Sequence, residues 1–146
     1  MSGVGDIVSG VGSMIAGESA NAIARNQAAF MEADAAVSRQ VGAAQADIAR
    51  REGARAVGEA VALQGASGFA MDGSALDVIA EIAGSYDYQA RVARYEAGRQ
   101  ALRLENEAVV TRAEGKMART SGYVQGSASL LTGAEKMASS SGGGGG

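Results

Sequence analysis

The stretch GASGFAMDGS, from Gly65 to Ser74, interrupts a chain that has few other reasons to leave the helical conformation. It holds three glycines in ten residues, whereas the whole 146-residue chain contains no proline. Glycine often follows the last turn of a helix, and a serine three residues before an acidic residue often starts one. The stretch therefore predicts a turn at 65–74 between two helices. Its predicted turn and capping residues are Gly65, Gly68, Asp72, Gly73, Ser74 and Asp77.

Two charged segments of nearly equal length flank this turn, at residues 18–64 and 76–119. Alanine occupies 32 positions of the chain and has the highest helix propensity of all residues. A short turn between two such segments predicts an all-α fold in which residues 18–119 form a long antiparallel helical hairpin. Each rod of this hairpin is expected to contain about 45 residues.

Large apolar residues recur every seven positions along both segments, which is the spacing of a helix-packing seam. In the second segment the predicted seam consists of Tyr88, Val92, Tyr95, Leu102 and Val109. In the first segment it consists of Ile23, Phe30, Val37, Val41 and Ile48. Alanine is expected at the remaining inward positions. Because so few large residues give a narrow seam, we expect the hairpin to complete its core as a homo-oligomer or with a partner.

The two ends of the chain share a small-residue, uncharged composition. Asp6 is the only charge in the glycine-rich segment 1–17, and the segment 120–138 is uncharged from Thr120 to Ala134. Neither reaches the roughly 20 apolar residues of a membrane-spanning helix. Two interpretations stay open, namely membrane contact and packing on a neighbouring protein. The candidate contact residues are Ile7, Val8, Val11, Ile15, Gly122, Gly126, Leu130 and Leu131, and residues 139–146 are expected to form a disordered Ser/Gly tail.

The composition argues against enzymatic chemistry. The chain has no histidine and no cysteine, which excludes imidazole bases, thiol nucleophiles and the usual zinc sites. The paired acids Glu32 and Asp34 are two residues apart, so on a helix they point to different sides. We therefore expect no catalytic residue, no cofactor and no metal. The net charge of −3 also argues against sequence-specific nucleic-acid binding.

Most of the chain, from Ala22 to Ala138, resembles the small internal virion proteins of short-tailed bacteriophages. The turn residues, the Ala/Arg/Tyr-rich second helix and the stretches after it carry the resemblance. They are Gly65-Ala66-Ser67-Gly68, Gly73-Ser74-Ala75-Leu76-Asp77-Val78-Ile79, Gly115-Lys116-Met117-Ala118-Arg119-Thr120-Ser121-Gly122-Tyr123 and Ser129-Leu130-Leu131-Thr132-Gly133-Ala134.

The resemblance implies a head-core or DNA-ejection protein. Such a protein is packaged in the virion and released into the host envelope, where it helps to form a conduit at the outer membrane. Other virion core, portal or tail proteins would be its partners. Two alternatives stay open at this point, a purely structural subunit of the phage tail or neck, and a cellular helical-hairpin adaptor or secreted effector.

Overall fold

The computed structural model describes residues 2–67 and 73–141, all of which are helical. Helix α1 covers Ser2–Ser67 and helix α2 covers Gly73–Ser141, so the helices contain 66 and 69 residues. They pack against each other in a hairpin-like arrangement. The all-helical character predicted from alanine content and the absence of proline is confirmed.

Both helices are longer than the predicted rods of about 45 residues, because the small-residue ends continue them. Gly65 lies inside α1, so the predicted cap at this position is wrong. Helix α2 starts at Gly73, so Ser74 is its second residue and Asp77 lies beyond its first turn. The start of the predicted tail, residues 139–141, also belongs to α2. The predicted turn residues Gly68 and Asp72 lie outside the described residues.

The residues buried between the helices are small. Every buried hydrophobic side chain of the described part of the chain is an alanine, and no large side chain is fully buried there. The buried alanines are Ala24, Ala28, Ala35, Ala46, Ala90, Ala101 and Ala108. The buried glycines are Gly10, Gly17, Gly42, Gly53, Gly115, Gly122, Gly126 and Gly133. Close approach of two helix backbones requires such residues, because a larger side chain holds the helix axes apart.

The large apolar residues predicted to form the seam between the helices lie mostly on its outside. Tyr88 is 68% exposed and Tyr95 is 65% exposed. Leu102 and Val109 are exposed as well, and Val92 is half-buried. On α1 the same correction applies to Ile23, Phe30, Val37, Val41 and Ile48, all of which are exposed. Alanines, which were expected only at the remaining inward positions, form the seam between the helices instead.

The spacing explains this correction. Phe30 and Val37 lie two residues after the buried Ala28 and Ala35. Two residues correspond to about 200° around a helix of 3.6 residues per turn, which is nearly the opposite face. A row of small residues and a row of large ones therefore share one seven-residue period, and the small row faces the other helix.

The chain divides into two compact units, each built from part of both helices. The terminal unit consists of Met1–Met31 and Glu105–Gly146. The central unit consists of Glu32–Leu104.

Candidate assembly surfaces

The seam of the terminal unit brings backbone against backbone. A methyl group on Gly122 would lie 2.6 Å from the carbonyl oxygen of Ser13 and 3.1 Å from the Cα of Gly17. A methyl group on Gly17 would lie 2.8 Å from the carbonyl oxygen of Ala118. These distances are shorter than ordinary contacts, so the two helices approach too closely for any side chain at these positions. Gly17 and Gly122 are therefore packing residues.

The candidate membrane or assembly contact residues Gly122 and Gly126 are buried between α1 and α2 of one chain. Gly126 packs against Gly10 and Met14 of α1. Their small size serves the contact between α1 and α2 within one chain, in the way that small residues allow close helix packing in membranes.

Apolar side chains on the outside of this seam are exposed. They belong to the two stretches without charge, residues 7–17 and 120–134, which we call the uncharged segments. Leu131 is 69% exposed, while Ile7 and Leu130 are half-buried. The other exposed members are Val8, Val11, Ile15 and Val124. The uncharged segments therefore combine a glycine seam with an apolar outer surface.

Charged pairs connect the two helices beside this seam. The Lys136 ammonium lies 2.7 Å from a carboxylate oxygen of Asp6. Glu18 accepts a hydrogen bond from the Tyr123 hydroxyl at 3.3 Å, and Arg119 lies 3.8 Å from its other oxygen. Hydrogen bonding to Tyr123, with a smaller contribution from Glu18, raises the pKa of the Arg119 guanidinium above its ordinary value. In both of these pairs α1 supplies the acid, which favours this pairing of the helices over others.

Asn21 is a polar residue in the otherwise apolar seam of the terminal unit. It is 5% exposed, and its side-chain oxygen Oδ1 accepts no hydrogen bond from the described residues. Gly115 of α2 faces the methyl group of Ala24, and a methyl group added to Gly115 would also lie 3.3 Å from this oxygen. An unsatisfied buried amide oxygen costs about 1–3 kcal/mol of stability.

The seam of the central unit brings side chains, not only backbones, into contact. Gly42 faces the methyl group of Ala97, and Gly53 faces the ring of Tyr86. The Ser38 hydroxyl donates a hydrogen bond to the carbonyl oxygen of Ala97 at 3.3 Å. A guanidinium nitrogen of Arg94 on α2 lies 3.4 Å from a carboxylate oxygen of Asp47 on α1.

A groove of about 520 Å³ runs along one side of the central seam. Val37, Val41 and Leu104 give it apolar walls. Its polar lining contains two acids and no base, and consists of Asp34, Ser38, Gln45, Glu96 and Gln100. We call it the acidic groove.

A second surface of the central unit lies on the outside of α2. Tyr88, Tyr95 and Leu102 follow one another at steps of seven and are exposed. Arg91 lies between the two tyrosines in sequence and forms an ion pair with Asp87 at 2.7 Å, and Arg99 stacks 5.8 Å from the centre of the Tyr95 ring. We call Tyr88, Tyr95, Leu102 and the two arginines the Tyr/Arg row. It carries two bases, one of them paired with an acid, whereas the acidic groove carries two acids.

The sequence contained a signal for the small-residue seam that the prediction did not use. Ala28, Ala35 and Gly42 are seven residues apart on α1, and Ala101, Ala108, Gly115 and Gly122 are seven residues apart on α2. The large apolar residues have the same seven-residue period, and the predicted seam consists of them. Asn21, which lies seven residues before Ala28, could have been found from this row.

Among the described residues, no group of three or more acidic side chains is placed to hold a metal ion. Over the same residues, neither α1 nor α2 contains a stretch apolar enough to cross a membrane. Comparison with protein-family models, with curated protein sequences and with solved structures gives no match for this chain.

Proposed function

We propose that this chain is a bacteriophage internal virion protein, an antiparallel helical hairpin that is packaged in the particle and released into the host envelope. Copies of it, together with other virion core, portal or tail proteins, help to form a conduit for genome delivery. No step of this role needs a catalytic residue.

The outer surface of the uncharged segments is the observation that supports this proposal. The apolar side chains of these segments are exposed, while glycines of the same segments pack the two helices together. A protein that remained alone in water would gain from charged residues at these exposed positions, because an exposed apolar patch marks an interaction site. Thin helices with alanine and glycine contacts also suit a protein that passes through a narrow portal, since such contacts bury little apolar area.

Vesicle flotation tests the membrane part of the proposal in the full-length chain. The test variant replaces Val11, Ile15, Val124 and Leu131 with serine, which leaves the glycine seam intact. The control variant replaces four exposed apolar residues of the central unit with serine, namely Val61, Leu63, Leu76 and Val78. The probe is a vesicle of mixed zwitterionic and anionic phospholipids.

We expect the natural chain and the control variant to float with the vesicles and the test variant to stay at the bottom. If neither the natural chain nor the control floats, the conduit role is wrong. Mass spectrometry of purified phage particles tests the other part, since a virion protein must be present in them.

A structural subunit of the phage tail or neck is the second candidate, and the acidic groove and the Tyr/Arg row favour it. These surfaces lie outside the uncharged segments and fit protein contacts better than lipid, because they carry charges beside their apolar residues. Detection in particles without vesicle binding would favour this second candidate.

A further inference from the structure

We propose that the Tyr/Arg row of one copy docks into the acidic groove of a second copy of this chain. The inference specifies the contact surface of the self-association contained in the proposed function. It does not depend on membrane binding.

The groove and the row both present apolar side chains that can pack together. The groove presents Val37, Val41 and Leu104, and the row presents Tyr88, Tyr95 and Leu102. Tyrosine is enriched at protein interfaces because its ring buries a large apolar area while its hydroxyl keeps contact with water. Val37, Val41 and the three apolar members of the row are exposed in the single chain, while Gly42 and Ala97, which pack α1 against α2, also line the groove.

The groove is long enough to hold two successive members of the row. The groove follows α1 from Asp34 to Gln45 and α2 from Ala93 to Leu104. Eleven steps along a helix span about 16 Å, and the seven steps from Tyr95 to Leu102 span about 10 Å. Two successive members of the row therefore fit within one groove.

The two surfaces carry opposite charges. The groove contains Asp34 and Glu96, and the row contains Arg99 and also Arg91, which is paired with Asp87. Opposite charges across an interface favour the correct pairing and disfavour other partners. The groove and the row adjoin on α2, where Arg99 lines a small pocket with Glu96 and Gln100. One chain carries both signs, so a second copy is the occupant that the molecule itself supplies.

The groove and the row share no residue. One copy can therefore donate its row to one neighbour and accept the row of another. Such head-to-tail contacts either close into a ring or continue as a filament.

Charge reversal in the full-length chain tests the contact, with sedimentation velocity as the measurement over a concentration series. One variant carries Arg91→Glu and Arg99→Glu, and the other carries Asp34→Lys and Glu96→Lys. Each alone brings like charges together, so we expect self-association to weaken at least about tenfold. Mixed in equal amounts, the two variants pair opposite charges at both kinds of contact, and association returns.

Matched controls separate this effect from net charge. Arg51→Glu with Arg55→Glu, and Glu52→Lys with Glu59→Lys, change the net charge equally outside both surfaces. We expect them to associate like the natural chain. Circular dichroism checks that every variant remains helical.

Three results would overturn the proposal. They are a natural chain that stays monomeric at every concentration, reversed variants that associate normally, and a mixture in which association does not return. None of them bears on vesicle flotation, so failure of this contact and failure of the membrane role are distinguishable.

Discussion

Two seam glycines, Gly122 of the terminal unit and Gly42 of the central unit, differ in what touches them from the other helix. Gly122 meets the backbone of Ser13 and Gly17, whereas the atom nearest to Gly42 is the methyl group of Ala97. A substitution cannot remove a backbone atom, but it can remove a methyl group. The contact at Gly122 therefore cannot be relieved by a substitution on the other helix, although the segment around it has the composition of a flexible linker.

The outer surfaces of the two units differ as well. The terminal unit combines its seam with uncharged apolar segments, and the central unit combines its seam with an acidic groove and a basic row. The comparison indicates that glycine content alone does not identify a flexible end. A glycine row at steps of four and seven in a helical chain is equally a sign of close packing.

The largest expected effect comes from adding a methyl group at the closely packed Gly122. Gly122→Ala places a methyl group 2.6 Å from the Ser13 carbonyl oxygen, and we expect a loss of about 1–3 kcal/mol in the free energy of unfolding. Gly12→Ala is the matched control, because nothing lies within 4 Å of that position. It should gain about 0.5–1 kcal/mol from the higher helix propensity of alanine.

Urea unfolding followed by circular dichroism measures both variants. If Gly122→Ala were as stable as Gly12→Ala, the helices would not approach closely at Gly122.

The seam should be repairable at Gly42 but not at Gly122. Gly42→Ala brings its methyl group against that of Ala97, and Ala97→Gly removes this closest contact, while the carbonyl oxygen of Ala93 remains 3.1 Å away. We expect the double variant to be more stable by about 1 kcal/mol than the two single changes added together would give. In the terminal unit, Gly122→Ala with Ser13→Gly should give no such coupling, because the clash is with the Ser13 backbone. Equal coupling energies in the two cycles would remove the distinction between the two positions.

An effect of about the same size, but a gain in the free energy of unfolding, is expected at Asn21. Asn21→Ala removes the buried amide oxygen that accepts no hydrogen bond, and the free energy of unfolding should rise by about 1 kcal/mol. Asn26→Ala, at an exposed position of α1, controls for helix propensity and should gain less. A loss of stability in Asn21→Ala would show that this amide supports the terminal seam.

The smallest effect is expected at the interhelical ion pairs. Lys136→Gln breaks the contact with Asp6, but both side chains are partly exposed to water. We expect a loss of no more than about 0.5 kcal/mol, which disappears as salt approaches about 1 M. Arg94→Gln in the central unit should behave similarly. Unfolding curves at low and high salt check both, and a large loss that persists in salt would contradict this ranking.

The sequence by itself determined that the chain forms two long helices. The high alanine content favours helix, the lack of proline lets each helix continue, and the glycine-rich stretch 65–74 covers the positions where α1 ends and α2 begins. The ends of the helices could not be placed, because glycine and serine have low helix propensity and local signals therefore stopped the rods at 18 and 119. Close packing at Gly10, Gly17, Gly122 and Gly126 supports helix in these segments.

Tertiary structure alone decided which residues face inward. The row of Tyr88 and Tyr95 and the row of Ala90 and Ala97 have the same period, so periodicity does not choose between them. The choice depends on how closely the backbones approach, and apart from Asn21 the described residues that are buried at this distance are alanines and glycines. The large residues are consequently left outside, on the surfaces where we propose that a second copy and the membrane bind.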